Sequence, residues 1–152
     1  MGDYEGALEI FLEFRDNDNY GQLMAIRHTL AKLGHYDEAL DYYFKSIGSI
    51  NRDLSFVPNY QNPFFWTYFT EEELEERARK TLANKNKALS GVYAAIGLAY
   101  SYEENYKVAM KYADEAISFD RDNANNWNIR AIILEDMSQY GQSDECFKGN
   151  RA

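Results

Sequence analysis

Two histidines, His28 and His35, and a single cysteine, Cys146, are the residues best suited to metal binding or nucleophilic chemistry. Their placement argues against both. A metal site needs several converging donors, and a nucleophilic thiol needs a base within reach. Cys146 has no histidine near it in sequence and reads as a small apolar filler. The chain has no glycine-rich phosphate loop, no paired-cysteine metal signature and no His-Glu-x2-His helix. The expectation is therefore no catalytic residue, no bound metal and no cofactor. Acidic runs such as Glu71-Glu72-Glu73 and Glu75-Glu76 read as solvated helix faces. With 25 acidic and 16 basic residues the net charge is −9. Such a chain repels phosphate backbones, so nucleic acid is not an expected partner, and basic protein segments are favoured.

The informative spacing is of large and small residues, and it points to helices. In residues 88–123 a first amphipathic helix carries Tyr93-x2-Ile96-Gly97-x2-Tyr100. Positions three and four apart share one helical face. Gly97 and Ala94 remove bulk where a neighbouring helix must approach. After a Glu103-Glu104-Asn105 turn, a second helix carries Tyr106, Ala109, Ala113 and Ala116, an alanine stripe suited to close antiparallel packing.

Weaker copies flank this hairpin. The second-helix signature recurs as Tyr4/Ala7/Phe11/Phe14, Tyr36/Ala39/Tyr43/Ser46 and Tyr140/Ser143/Phe147/Asn150. The four tyrosines are separated by 32, 70 and 34 residues. First helices recur as Leu23-x2-Ile26-Arg27-x2-Leu30 and Trp127-x2-Arg130-Ala131-x2-Leu134. Gly34-His35-Tyr36-Asp37-Glu38-Ala39-Leu40 marks a turn in which glycine can take the left-handed conformation that ends a helix. This pattern resembles the tetratricopeptide repeat, whose period is about 34 residues. The resemblance implies an all-α fold: antiparallel helix hairpins stacked as a short right-handed superhelix, about three to four repeats with one degenerate slot.

In order, residues 1–19 correspond to a lone second helix with Leu8, Ile10, Phe11 and Leu12 facing inward. Residues 20–53 form a repeat with helices at about 21–33 and 36–50. Residues 54–89 occupy a degenerate slot, because the aromatic stretch 56–69 with Pro58 and Pro63 cannot make an ordinary first helix. Thr70 and Glu73 resemble a capping box, so a helix should start near 71 with Leu74, Ala78 and Leu82. Whether it runs into the helix of Tyr93 is open at this level. Residues 90–123 are the best repeat. Residues 124–152 form a degenerate terminal one, with Arg130 where the family prefers leucine.

No apolar run reaches the ~20 residues of a membrane span. The acidic N-terminus lacks a hydrophobic signal core, and Gly6 stands where myristoylation wants Ser or Thr. A cytoplasmic protein is expected. The family resemblance implies a non-catalytic scaffold or adaptor that holds a partner segment in a concave groove lined by first helices. Carried over by register, the groove is Met24, His28 and Lys32; Ala94, Ala95, Leu98 and Tyr102; and Asn128, Ile129, Ile132 and Glu135. Ala94 and Leu98 stand where chaperone-tail binders of the family carry polar groups, which disfavours that activity. Phe64, Phe65, Trp66, Tyr68 and Phe69 either cover the gap left by the missing first helix or form an aromatic docking patch. The alternative is a module that associates with itself through the unpaired first helix, or an accessory domain of a longer protein or enzyme. Contact with a membrane is not expected.

Overall fold

The computed structural model describes residues 3–13, 20–53 and 68–149. Among these there are six helices and no strand: α1 (Tyr4–Glu13), α2 (Tyr20–Leu33), α3 (Tyr36–Asp53), α4 (Glu71–Tyr102), α5 (Tyr106–Phe119) and α6 (Ala124–Gly149). The helices pack mainly in chain order, each against the next, and α4 also meets α6. A chain of near-neighbour contacts is the signature of a repeat array. The fold is all-α, as the spacing predicts.

Local sequence sets the boundaries. The Asp3 carboxylate accepts the Gly6 amide at 2.9 Å and opens α1. Gly34, at φ 82°, ends α2. Its amide reaches the Ala31 carbonyl at 3.2 Å and the His35 amide reaches Leu30 at 3.0 Å, which closes the helix in a Schellman motif. The same pair of bonds ends α4, from Glu104 to Ser101 and from Asn105 to Tyr100. There the left-handed residue is Glu104, at φ 60°. The α4 N-terminus carries the expected capping box. Thr70 accepts the Glu73 amide, while the Glu73 carboxylate accepts the Thr70 amide at 2.8 Å.

The core follows the repeat spacing. Ala109, Ala113 and Ala116 of α5 are fully buried with Ala94, Ile129 and Ile133. A larger cluster joins Ile26 and Leu30 of α2, Ala39, Leu40 and Tyr43 of α3, and Val92 and Ile96 of α4. A Cβ at Gly97 would stand 3.0 Å from the Ala109 carbonyl and 3.2 Å from the Ala113 amide. The α4–α5 hairpin therefore packs backbone against backbone. In α2 the matching position is Arg27, and the residue matching Ala113 is Tyr43. Here the guanidinium lies 5.1 Å from the ring centre. A small–small contact in one hairpin is thus replaced by a cation over an aromatic face in the other.

Three expectations are corrected. Ile10 and Leu12 are 59% and 40% exposed, so only Leu8 and Phe11 of α1 reach the core. This ten-residue helix packs mainly on α2 among the described helices, and positions 8 and 11 form its partly buried stripe. Leu82 of α4 is likewise exposed, whereas Leu74 is buried. No turn separates a last pair of helices, because α6 runs unbroken from Ala124 to Gly149. Met137-Ser138-Gln139-Tyr140 holds neither glycine nor proline to stop it. The boundary left open near residue 90 is also a single helix, α4, of 32 residues. No helix among the described residues is long and apolar enough to cross a membrane.

Candidate functional groove

Hydrogen bonds fix the relation between α4 and α6. Ser90 meets Asn126, and Ser101 meets Asp136 at 3.2 Å, so the two helices run parallel. The turn after Leu33 sends α3 back along α2, and α3 packs on α4. These placements bring one face of α2 opposite one face of α4, with α3 beneath.

Between them lies a cavity of about 470 Å³. From α2 it receives His28, Ala31 and Lys32, which share a face by their spacing of three and four. Gly91, Ala94, Ala95, Leu98, Ala99 and Tyr102 of α4 form the other wall, α6 adds Asn125 and Ile129, and α3 adds Tyr36 and Tyr43. Short side chains on α4 leave the space open. Tyr102 stacks on Tyr36 with ring centres 5.2 Å apart and bounds one end. A second cavity of about 400 Å³ continues it, sharing His28, Tyr43, Gly91 and Ala95 and adding Arg27, Lys87 and Ala88. Burial raises the Tyr43 phenol above its ordinary pKa, and the nearby Arg27 cation works against that rise. The phenol is therefore neutral and able to donate a hydrogen bond.

Of the residues assigned by register, His28, Lys32, Ala94, Leu98 and Tyr102 come together on this lining, with Ala95 and Ile129. Ala94 is only 2% exposed and also packs in the α5–α6 cluster, so it belongs to core and groove alike. Asn128, Ile132 and Glu135 are exposed on α6 but do not line the cavity. Met24 lies in α2, and its side chain is outside the described residues. The side chains of Tyr140, Cys146 and Phe147 are outside them as well, as are Phe64, Phe65 and Trp66. Tyr68 is 66% exposed. Phe69 is half-buried, with the Arg77 guanidinium 4.3 Å from its ring centre.

Register missed Arg27, Tyr36, Tyr43, Lys87, Gly91 and Asn125. Lys87, Gly91 and Ala95 follow one another at intervals of four and could have been found by extending the α4 face one turn back. Tyr36 and Tyr43 belong to a second helix, which the first-helix rule does not consider.

Among the described residues no group of histidine, cysteine and carboxylate side chains could hold a metal ion. What the arrangement offers is a shape: an open trough with an apolar α4 wall, aromatic floor and polar α2 rim. No curated protein and no solved structure matches the chain. Residues 90–123, the α4–α5 hairpin that supplies this wall, do match the family model for the tetratricopeptide repeat. With the Gly97 close approach and the buried alanine stripe in that hairpin, the match supports reading this hairpin as a tetratricopeptide repeat.

Proposed function

We propose that the protein is a non-catalytic interaction module that holds a segment of a partner protein in the trough between α2 and α4. The supporting observation is that trough itself. Apolar Ala94, Ala95 and Leu98 meet convergent polar groups on His28, Lys32 and Tyr43 around an open space of about 470 Å³. A mostly apolar concavity with a few placed polar groups is how peptide and ligand sites are built. Asn128, Ile132 and Glu135 share an exposed face of α6 by spacing and would extend the contact surface past the cavity.

The test compares crosslinking capture by wild type, Leu98→Glu and Leu82→Glu. Leu98 is half-buried on the trough wall, while Leu82 is 58% exposed elsewhere on α4. Capture lost with Leu98→Glu and kept with Leu82→Glu, both variants remaining helical, is the expected result. Capture retained by folded Leu98→Glu would remove the trough from the reading.

A self-associating module is the second reading, motivated by exposed Ile10 and Leu12 on α1 and Leu134 and Met137 on α6. Exposed apolar faces of this kind mark interaction surfaces. Sedimentation equilibrium separates the two, because self-association gives a mass that rises with concentration and is lowered by Ile10→Glu.

A further inference from the structure

The charge of the trough is opposite to that of the chain. Among the described residues, the two joined cavities are lined by three permanent cations, Arg27, Lys32 and Lys87, together with His28, and by no aspartate or glutamate. The whole chain has 25 acidic residues against 16 basic ones. From this we propose that the segment held in the trough is acidic, with side-chain carboxylates spaced around small apolar residues. This rests on the trough being the binding site. It reverses the preference for basic partners that the net charge alone implies.

The placement of the cations supports spaced carboxylates over one terminal carboxylate. Arg27 and Lys87 line one cavity and Lys32 the other, with His28 common to both. Arg27 and Lys32 lie five residues apart on α2, roughly 7.5 Å along the axis. A single carboxylate cannot reach both ends, whereas acidic side chains along an extended segment can. Lys32 and Lys87 are exposed and available for contact. Arg27 is 4% exposed, its guanidinium lying over Tyr43, and it acts as a fixed field source in the floor. Charge elsewhere on the surface is screened over about 8 Å at physiological ionic strength, so the local lining governs the bound segment. The apolar α4 wall, with Ala95 and Leu98, calls for alanine- or leucine-sized side chains between the carboxylates.

The probe is a random 12-residue peptide library displayed on phage, selected against the full chain. Winning peptides are remade with both ends blocked and measured by fluorescence anisotropy. The expected winners carry net negative charge with interspersed small apolar residues. They should lose at least about tenfold in affinity to the Lys32→Glu/Lys87→Glu variant. Raising salt should weaken them, and replacing their Glu by Gln should have a similar effect. Neutral or basic winners that depend on Leu98 overturn the acidic assignment and leave the trough as the site. Acidic winners indifferent to the double charge reversal also overturn it. Winners that bind folded Leu98→Glu as well as wild type sit elsewhere and overturn the trough reading itself. Failure to enrich any peptide counts against both.

Discussion

The Asn126 amide nitrogen lies 2.6 Å from Ser90 Oγ, and Ser90 Oγ donates in turn to the Ala116 carbonyl at 2.9 Å. The same amide reaches the Ala116 and Asp120 carbonyls at 3.2 and 3.0 Å. Asn126 is 1% exposed and Ser90 is fully buried. One polar knot therefore ties α4, the end of α5 and the start of α6. It also adds side-chain donors to the Ala116 and Asp120 carbonyls at the end of α5, which already accept the backbone amides of Asp120 and Asn123. Seated here, α6 can deliver Asn125 and Ile129 to the trough.

Asn126→Ala should destabilise the protein by about 1–3 kcal/mol, because it removes the buried hydrogen bonds of the amide and leaves a gap where the side chain packed. Asn126→Asp should cost at least as much at neutral pH, since an ionised carboxylate donates no hydrogen bond. Ser90→Ala should cost less than either, as the Asn126 amide keeps its backbone acceptors. Urea unfolding of the three variants, followed by helical circular dichroism, checks the order. Equal losses in all three would deny the amide its central place.

Two glycines of α4 should respond to alanine with opposite signs. A Cβ at Gly97 meets backbone of α5 at 3.0 and 3.2 Å, and backbone cannot swing aside. Gly97→Ala should destabilise by about 1–3 kcal/mol despite better helix propensity. At Gly91 a Cβ meets nothing within 4 Å. Gly91→Ala should stabilise by about 0.5–1 kcal/mol, and it should narrow the trough. Chemical denaturation of the pair gives the signs directly.

Glu104 holds a left-handed backbone at φ 60° where the α2 hairpin uses Gly34 at 82°. A side chain in that region costs about 1–2 kcal/mol relative to glycine. Glu104→Gly should therefore raise stability by about 1 kcal/mol, and Gly34→Ala should lower it by a similar amount. Thermal melts read both. A loss of stability in Glu104→Gly would mean that the glutamate side chain contributes more than its backbone costs.

What was legible in the sequence was whatever depends on local spacing. Ala109, Ala113 and Ala116 announce a close helix pair, and Gly97 marks the contact because only small residues fit there. Thr70 and Glu73 announce a helix start. The unbroken run of α4 stayed open in the sequence, since residues 82–90 carry no stop signal while the repeat period would divide them there. The period misled at Tyr140, where a second-helix signature lies within the continuous α6. For the trough, register found His28, Lys32 and Leu98 because they lie on first helices. It missed Tyr43 and Arg27 because their pairing spans two helices and replaces the small–small contact of the best repeat. The local charge reversal was hidden for a related reason: Lys87 comes from a turn assigned to a different repeat slot.

Two carboxylates should give opposite pH responses. Burial, with the nearby Asp37 charge and a hydrogen bond to Asp37, raises the Glu103 pKa above its ordinary 4.5. Its folded form binds a proton more tightly than the unfolded chain does, so its contribution to stability falls as pH rises from about 4.5 through the raised value. Glu103→Gln should therefore gain on wild type as the solution goes from acidic to neutral. Glu73 is the reverse. Hydrogen bonds from the Thr70 backbone amide and hydroxyl lower its pKa below 4.5. Its stabilisation is present above the ordinary value and is lost as pH falls through the lowered one. Glu73→Gln should be less stable than wild type near neutrality and converge with it in acid. Melting curves of both variants from about pH 3 to pH 7 test the pair. Parallel curves for either variant would mean that its carboxylate does not titrate differently in the folded state.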